Sequence, residues 1–344
     1  MADAVVRTPM SNQLVTHPVR RPRPPTSART NTRPRHRPRA FARAEARAAL
    51  IFLTPLTIGL MVFVAGPIIA SLYFTFTKWD LIAPAPTWVG FDNWTYLFTD
   101  EHLLQAFGNT LRFILYGTVS FLIAGLVVAL LTVKPRRFVG LYRAAFFLPY
   151  VLSQVAVGLV WKWIFSTDSG PLTAIAQGVF GLNPQWLQDS KLAMPSIALM
   201  TTWQALGYAV TLYIAGINGV PETLLEAARI DGTNAFQRFR YVTLPSMAPT
   251  VLFLTITSLI GAFQLYDPVV AMTSSLGSPA DAGGPNGSTR SVVLYLYQQM
   301  FYAVGGQSGL GYAAAIGWSL ALVMLIITAI QFTLFARFNG TSER

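Results

Sequence analysis

Cysteine is absent from all 344 residues. That excludes disulfides, thiolate metal sites and cysteine nucleophiles. Histidine is nearly absent too: His17, His36 and His102 are the three in the chain, and they lie far apart. A histidine-built metal or catalytic centre has no material here. Charge is the next scarcity. Only 11% of residues are charged, while 53% are hydrophobic, against about a quarter charged in a soluble domain. A Gly-x4-Gly-Lys-Ser/Thr run is also missing, so this chain lacks that means of cradling nucleotide phosphates. The net charge of +11 does not point to nucleic acid, because nearly half the basic residues are arginines in the first 47 positions. Nucleic-acid binding would need a basic face interleaved with aromatics in a folded region. "GQSG" (Gly306 to Gly309) looks like an intramembrane nucleophile motif, but no nearby histidine could activate Ser308. No catalytic or metal residue is assigned.

Long apolar stretches are plentiful. Six of them, at about 50–76, 109–133, 145–167, 194–216, 247–272 and 311–335, are long enough to cross a bilayer as helices of ~20 residues. Residues 1–48, rich in Arg, Pro, Ser and Thr, have too little apolar material to offset their ordering entropy and read as a disordered tail. Lys and Arg set the orientation. With the N-terminus inside, 20 of the 25 basic residues fall on the cytoplasmic side. Both termini and the 217–246 loop are then cytoplasmic. The tryptophans Trp79, Trp88, Trp161 and Trp163 fall at the outer ends and read first as interfacial anchors.

The cytoplasmic loop holds "VPETLLEAARIDGTNAFQRFRYVTLP", Val220 to Pro245. Pro221 suits a first helical position, and Leu224 to Ala228 are good helix formers. Gly232 is a natural stop, Thr233 or Asn234 can cap a second helix, and Pro245 ends the element. The small pair Ala227–Ala228, flanked by Glu226 and Arg229, would let a partner's backbone approach. A basic amphipathic helix resting on lipid headgroups is the competing reading. The break at Gly232 favours docking, since an interfacial helix needs none.

"EAARIDGTNAFQRFRYVTLP" resembles the EAA signature of permease subunits of ATP-binding-cassette importers. "FTKWDLIAPAPTWVGFDNW", "AAFFLPYVLSQVAVGLVWKWIF" and "GGPNGSTRSVVLYLY" resemble the carbohydrate-transport, MalF-like branch in its six-span form. The likeness covers about residues 50–335. It implies an all-α membrane protein with the type I importer permease fold. The division is then a tail (1–48), a first span with an external loop (49–104), a permease core (105–335) and a cytoplasmic end (336–344).

The resemblance also implies partners: a second homologous permease, two ATPase subunits, an external solute-binding protein and membrane lipid. ATP and Mg would be bound by the ATPases, with no cofactor on this chain. Glu226, Ala227, Ala228 and Gly232 would form the ATPase-coupling element, supported by Arg229 and Asp231. A sugar or oligosaccharide would be translocated across a bacterial inner membrane, near the fourth and fifth spans. Trp203 and Tyr208 would stack on the sugar, and Thr201, Gln204, Ser258 and Gln264 would bind its hydroxyls. Helix packing competes for the two aromatics. Asp267 is an intramembrane acid or an interfacial one. Two rivals are an importer of an anionic solute such as glycerol 3-phosphate, and an ion-coupled secondary transporter. The first needs cationic groups at the site, and the second predicts discontinuous helices and midplane carboxylates.

Overall fold

A computed structural model describes residues 39–80, 82–133, 139–275, 277–302 and 309–340. Most of the expected tail, residues 134–138 of the 134–144 loop and Gly306 to Ser308 lie outside the described residues. The chain divides into two units, 1–60 and 61–344. The described part of the first is helix α1 (Arg39–Leu60), so helix begins nine residues before the expected end of the tail at 48. Ala40, Ala42, Ala44, Ala46, Ala48 and Ala49 explain this early start, since alanine is the strongest helix former.

The second unit opens with a π-helical turn (Met61–Ala65) and α2 (Gly66–Phe74), followed by a short hairpin, β1 (Thr77–Lys78) and β2 (Thr87–Trp88). The helices then follow as α3 (Asp92–Tyr96), α4 (Glu101–Phe113), α5 (Val119–Thr132), α6 (Val139–Val151), α7 (Gln154–Ile164) and α8 (Pro171–Phe180). Next come α9 (Ala193–Asn218), α10 (Glu222–Ile230), α11 (Ala235–Arg238), α12 (Leu244–Ser246) and α13 (Ala248–Phe263). The last three are α14 (Asp267–Thr273), α15 (Val292–Phe301) and α16 (Leu310–Gly340).

Among the described residues four helices are long and apolar enough to cross a membrane: Ala49–Phe74, Glu101–Thr132, Ala193–Asn218 and Leu310–Thr333. The count reaches six if each of two bent pairs is one span. The second span starts at Glu101, eight residues before the expected 109, because the Asp100 carboxylate caps it by accepting from the His102 and Leu103 N–H groups. The domain boundary drawn at 105 therefore falls inside a helix. At the other end α16 continues to Gly340, past the expected stop at 335.

The larger departures are inside the spans. The third, expected as one span over 145–167, bends by 100° between α6 and α7. Pro149 lies just before the break and has no N–H to continue the ladder. The fifth, expected over 247–272, stops at Phe263 and restarts at Asp267. The second contains a π-helical turn at Ile114–Thr118. Irregular backbone at membrane depth must find its hydrogen bonds elsewhere. Gln204 donates through Nε2 to the Leu152 carbonyl at the first break (3.2 Å), and the Ser291 hydroxyl donates to the Leu265 carbonyl at the second.

Helix α9 lies at the centre, packed on α5, α6 and the π-helical turn. Half of its apolar window is buried, more than in any other candidate span. Gly207 permits the α6 contact: a Cβ there would sit 2.3 Å from the Phe146 carbonyl oxygen. Outward-facing Leu, Ile, Val and Phe side chains remain widely exposed on the other helices, as a lipid-facing surface requires.

Candidate functional site

Two features stand out in the second unit: the helix–break–helix element over 221–246 and a cavity among the central helices. In the element, Pro221 is the N-cap of α10 and not its first helical residue, so the helix starts one position later than expected. Gly232 takes φ +75°, the left-handed conformation that costs glycine nothing. The Gly232 N–H donates to Arg229 O (3.1 Å) and the Thr233 N–H to Ala228 O (3.1 Å), the paired bonds of a Schellman stop. Asn234 then caps α11 reciprocally: its side chain accepts from the Gln237 N–H (2.8 Å), and its own N–H donates to the Gln237 side chain (2.9 Å). Pro245 does not end the element. It lies within the short α12, and the chain bends by 68° after Ser246.

The six coupling candidates divide by exposure. Glu226, Ala227, Arg229, Asp231 and Gly232 are exposed. Ala228 is buried, facing this chain's own fold, so it does not present a small surface outward. A helix cannot turn two adjacent residues to the same side, since each step rotates by about 100°. Leu225 and Val242 hold the element from within, against a core containing Val220 and Met247. Facing outward are large apolar side chains: Ile230 is 86% exposed and Phe236 74%. Their signal was helical spacing, as Ile230 follows Glu226 and Ala227 by four and three positions.

The cavity, of about 450 Å³, collects all three irregular segments. Gly117 and Thr118 come from the π-helical turn, Tyr150 and Gln154 flank the first break, and Gln264 to Pro268 form the second. Of the six substrate candidates, Thr201, Tyr208, Ser258 and Gln264 line it. Trp203 and Gln204 do not. Trp203 packs on the Trp161 ring, 5.5 Å between centroids, outside the lining. Gln204 is buried and committed to the Leu152 carbonyl, so it closes a helix break.

Tyr150 was missed and stacks on Tyr208, with centroids 5.2 Å apart and planes 14° from parallel. Gln154 and Thr257 were missed as well. Helix breaks put these residues beside the cavity, and the breaks were not visible in apolar periodicity. Trp161, taken for an interfacial anchor, is partly buried against Phe165 and Trp203. A second cavity, about 490 Å³, lies where α7 meets the end of α14. The Lys162 ammonium there donates to the Ser274 carbonyl. Among the described residues no three His, Cys, Asp or Glu side chains gather to hold a metal.

The sequence profile of the family described as binding-protein-dependent transport system inner membrane component matches residues 121–340. The chain is 32% identical to a probable ABC transporter permease protein, YesP, of Bacillus subtilis, over 83% of this chain and 89% of that one. It is 32% identical to the lactose transport system permease protein LacF of Rhizobium radiobacter, over 82% of this chain and 92% of that one. Its fold is similar to a chain in the crystal structure of a bacterial ABC transporter involved in import of the acidic polysaccharide alginate. That match has a TM-score of 0.71 at 20% identity, over 87% of this chain and 99% of that one.

Proposed function

The chain belongs to the family of binding-protein-dependent transport system inner membrane components, and from that premise we propose that it forms half of the pathway of a sugar or oligosaccharide importer. The observation that carries the sugar reading is the cavity wall. It offers a stacked tyrosine pair, hydroxyls and amides, and no Lys, Arg or His among the lining residues. A sugar presents an apolar ring face and many hydroxyls, which such a wall matches. The similarity to a lactose permease supports the same class of cargo. A phosphate-bearing solute would need cationic partners, so this wall disfavours it.

Discontinuous helices, expected only of the secondary-transporter rival, are present here. They do not favour that rival, because the chain belongs to the binding-protein-dependent permease family.

The proposed mechanism has the 221–246 element docked on a partner ATPase, with Ile230 and Phe236 as its apolar anchors and Glu226, Arg229 and Asp231 as its charged rim. ATP would be hydrolysed on that partner. Closure of two ATPases would carry the element and its core, through Leu225 and Val242, and reorient the spans around the cavity. A second permease completes the pathway, and an external solute-binding protein delivers the sugar. Both chain termini and the element are on the cytoplasmic side in this arrangement.

Uptake kinetics in cells expressing the assembled transporter test the site. Tyr208→Ala is expected to raise the KM for sugar about fivefold, the scale of one lost aromatic contact. Trp203→Ala is expected to leave KM within about twofold, since its ring lies outside the lining. Equal effects of the two substitutions on KM would sink the placement of the sugar against Tyr150 and Tyr208.

A further inference from the structure

Asp267 is the single charged side chain among the described residues lining the central cavity. It is exposed, and it stands at the second helix break, at the start of α14. Arg290, the cation nearest to it in sequence, lies over the Tyr295 ring and does not line the cavity, and Arg112 and Lys162, also outside the lining, are turned to other partners. Arg112 donates to Asn109 Oδ1 (3.3 Å), and Lys162 to the Ser274 carbonyl. A second feature adds to the carboxylate. The lining hydroxyls of Thr201, Thr257 and Ser258 give their protons back to their own helices, at the carbonyls of Ile197 (3.0 Å), Phe253 (2.9 Å) and Thr255 (3.0 Å). They therefore turn lone pairs toward the cavity. The wall is rich in acceptors and carries one negative charge.

We propose that Asp267 is a charge-selecting residue, giving the cavity a negative potential that admits neutral sugars and protonated amino sugars and repels uronate- or phosphate-bearing ones. The inference rests on the sugar-permease reading for its cargo but not for its electrostatics. A fixed charge in a partly enclosed cavity acts on an ion entering it more strongly than a charge on an open surface does. Neutral sugars feel no such term and bind through the acceptors and the tyrosine pair.

The absence of cysteine from the chain provides the test. Ser258→Cys places one thiol in the cavity, with Gln264→Cys as a second reporter should the first fail to assemble. The assembled transporter in membrane vesicles is treated with a cationic trimethylammonium-ethyl and an anionic sulfonato-ethyl methanethiosulfonate. Modification is followed on this chain alone, by its mass. The ratio of cationic to anionic rates is expected to exceed that of a small free thiol. It is expected to fall about tenfold with Asp267→Asn and to return with Asp267→Glu. A ratio that Asp267→Asn leaves unmoved would overturn the proposal, since the field would then come from elsewhere. Two unreactive reporters would overturn it as well, because no ion would enter the cavity. The measurement uses no sugar, so its failure leaves the cargo reading standing, and failure of the cargo reading leaves it standing.

Discussion

Gly232→Val is expected to cut uptake on the order of tenfold, while Gly232→Asn keeps most of it. The reason is conformational. Gly232 sits at φ +75°, and a Cβ built there meets nothing within 4 Å. Space is therefore not the constraint; the backbone is. An L-residue in this conformation costs about 1–2 kcal/mol, and a β-branched one is worse placed still. Asparagine adopts it more readily than other side chains. With valine the stop over Arg229 and Ala228 gives way, and Ile230 and Phe236 no longer face outward together.

Uptake and ATPase co-purification are to be measured side by side. Lost uptake with the permease intact in the membrane locates the damage in coupling. Equal uptake by the valine and asparagine variants would refute the role given to this turn.

Asp100→Ala is expected to lower the thermal midpoint of the purified transporter by about 5 °C or more. Asp100 is 4% exposed and does three jobs. Its Oδ1 caps α4, while its Oδ2 accepts from the hydroxyls of Tyr295 (2.6 Å) and Tyr312 (2.5 Å). One carboxylate thus ties α4, α15 and α16 together. Losing the cap costs about 1 kcal/mol, and each buried hydroxyl left without a partner about 1–3 kcal/mol more. For a chain of this size a few kcal/mol corresponds to a shift of several degrees.

Burial and the bond to Asp100 also push the Tyr295 hydroxyl well above the usual phenol range, so it stays a donor. The sign is that of a group raised in the folded state. Its contribution is full below the ordinary tyrosine pKa of about 10 and is lost only as pH rises through the higher folded value. The clamp is therefore expected to hold through neutral pH. Asp100→Asn keeps an acceptor for the cap and should lose less than half as much. Equal melting of wild type and Asp100→Ala would show that α15 and α16 are held by packing alone.

Much of the chain was legible as sequence. Lipid gives the backbone no hydrogen-bond partners, so apolar length alone located the spans to within several residues. Gly232, Asn234 and their neighbours spelled the helix stop and the cap, because such signals are local: the residues that make the bonds are adjacent in the chain. The EAA likeness rested on the same local run. Ala228 shows the limit of that reading, since a signature carries its letters without saying which of them face inward.

Tertiary structure alone decided the cavity. The two helix breaks are closed by distant groups: Gln204 for Leu152 and Ser291 for Leu265 satisfy carbonyls that the helices release. Hydropathy averages over such a break and reads one continuous span. Only the folded chain separates Trp203, which packs on Trp161, from Tyr208 beside it on the same helix, which stacks on Tyr150 in the cavity wall. Membrane residence and the helix stop at Gly232 depend on neighbours in sequence, and the sequence by itself determined them. Which polar groups face a solute depends on contacts between helices that no local pattern encodes.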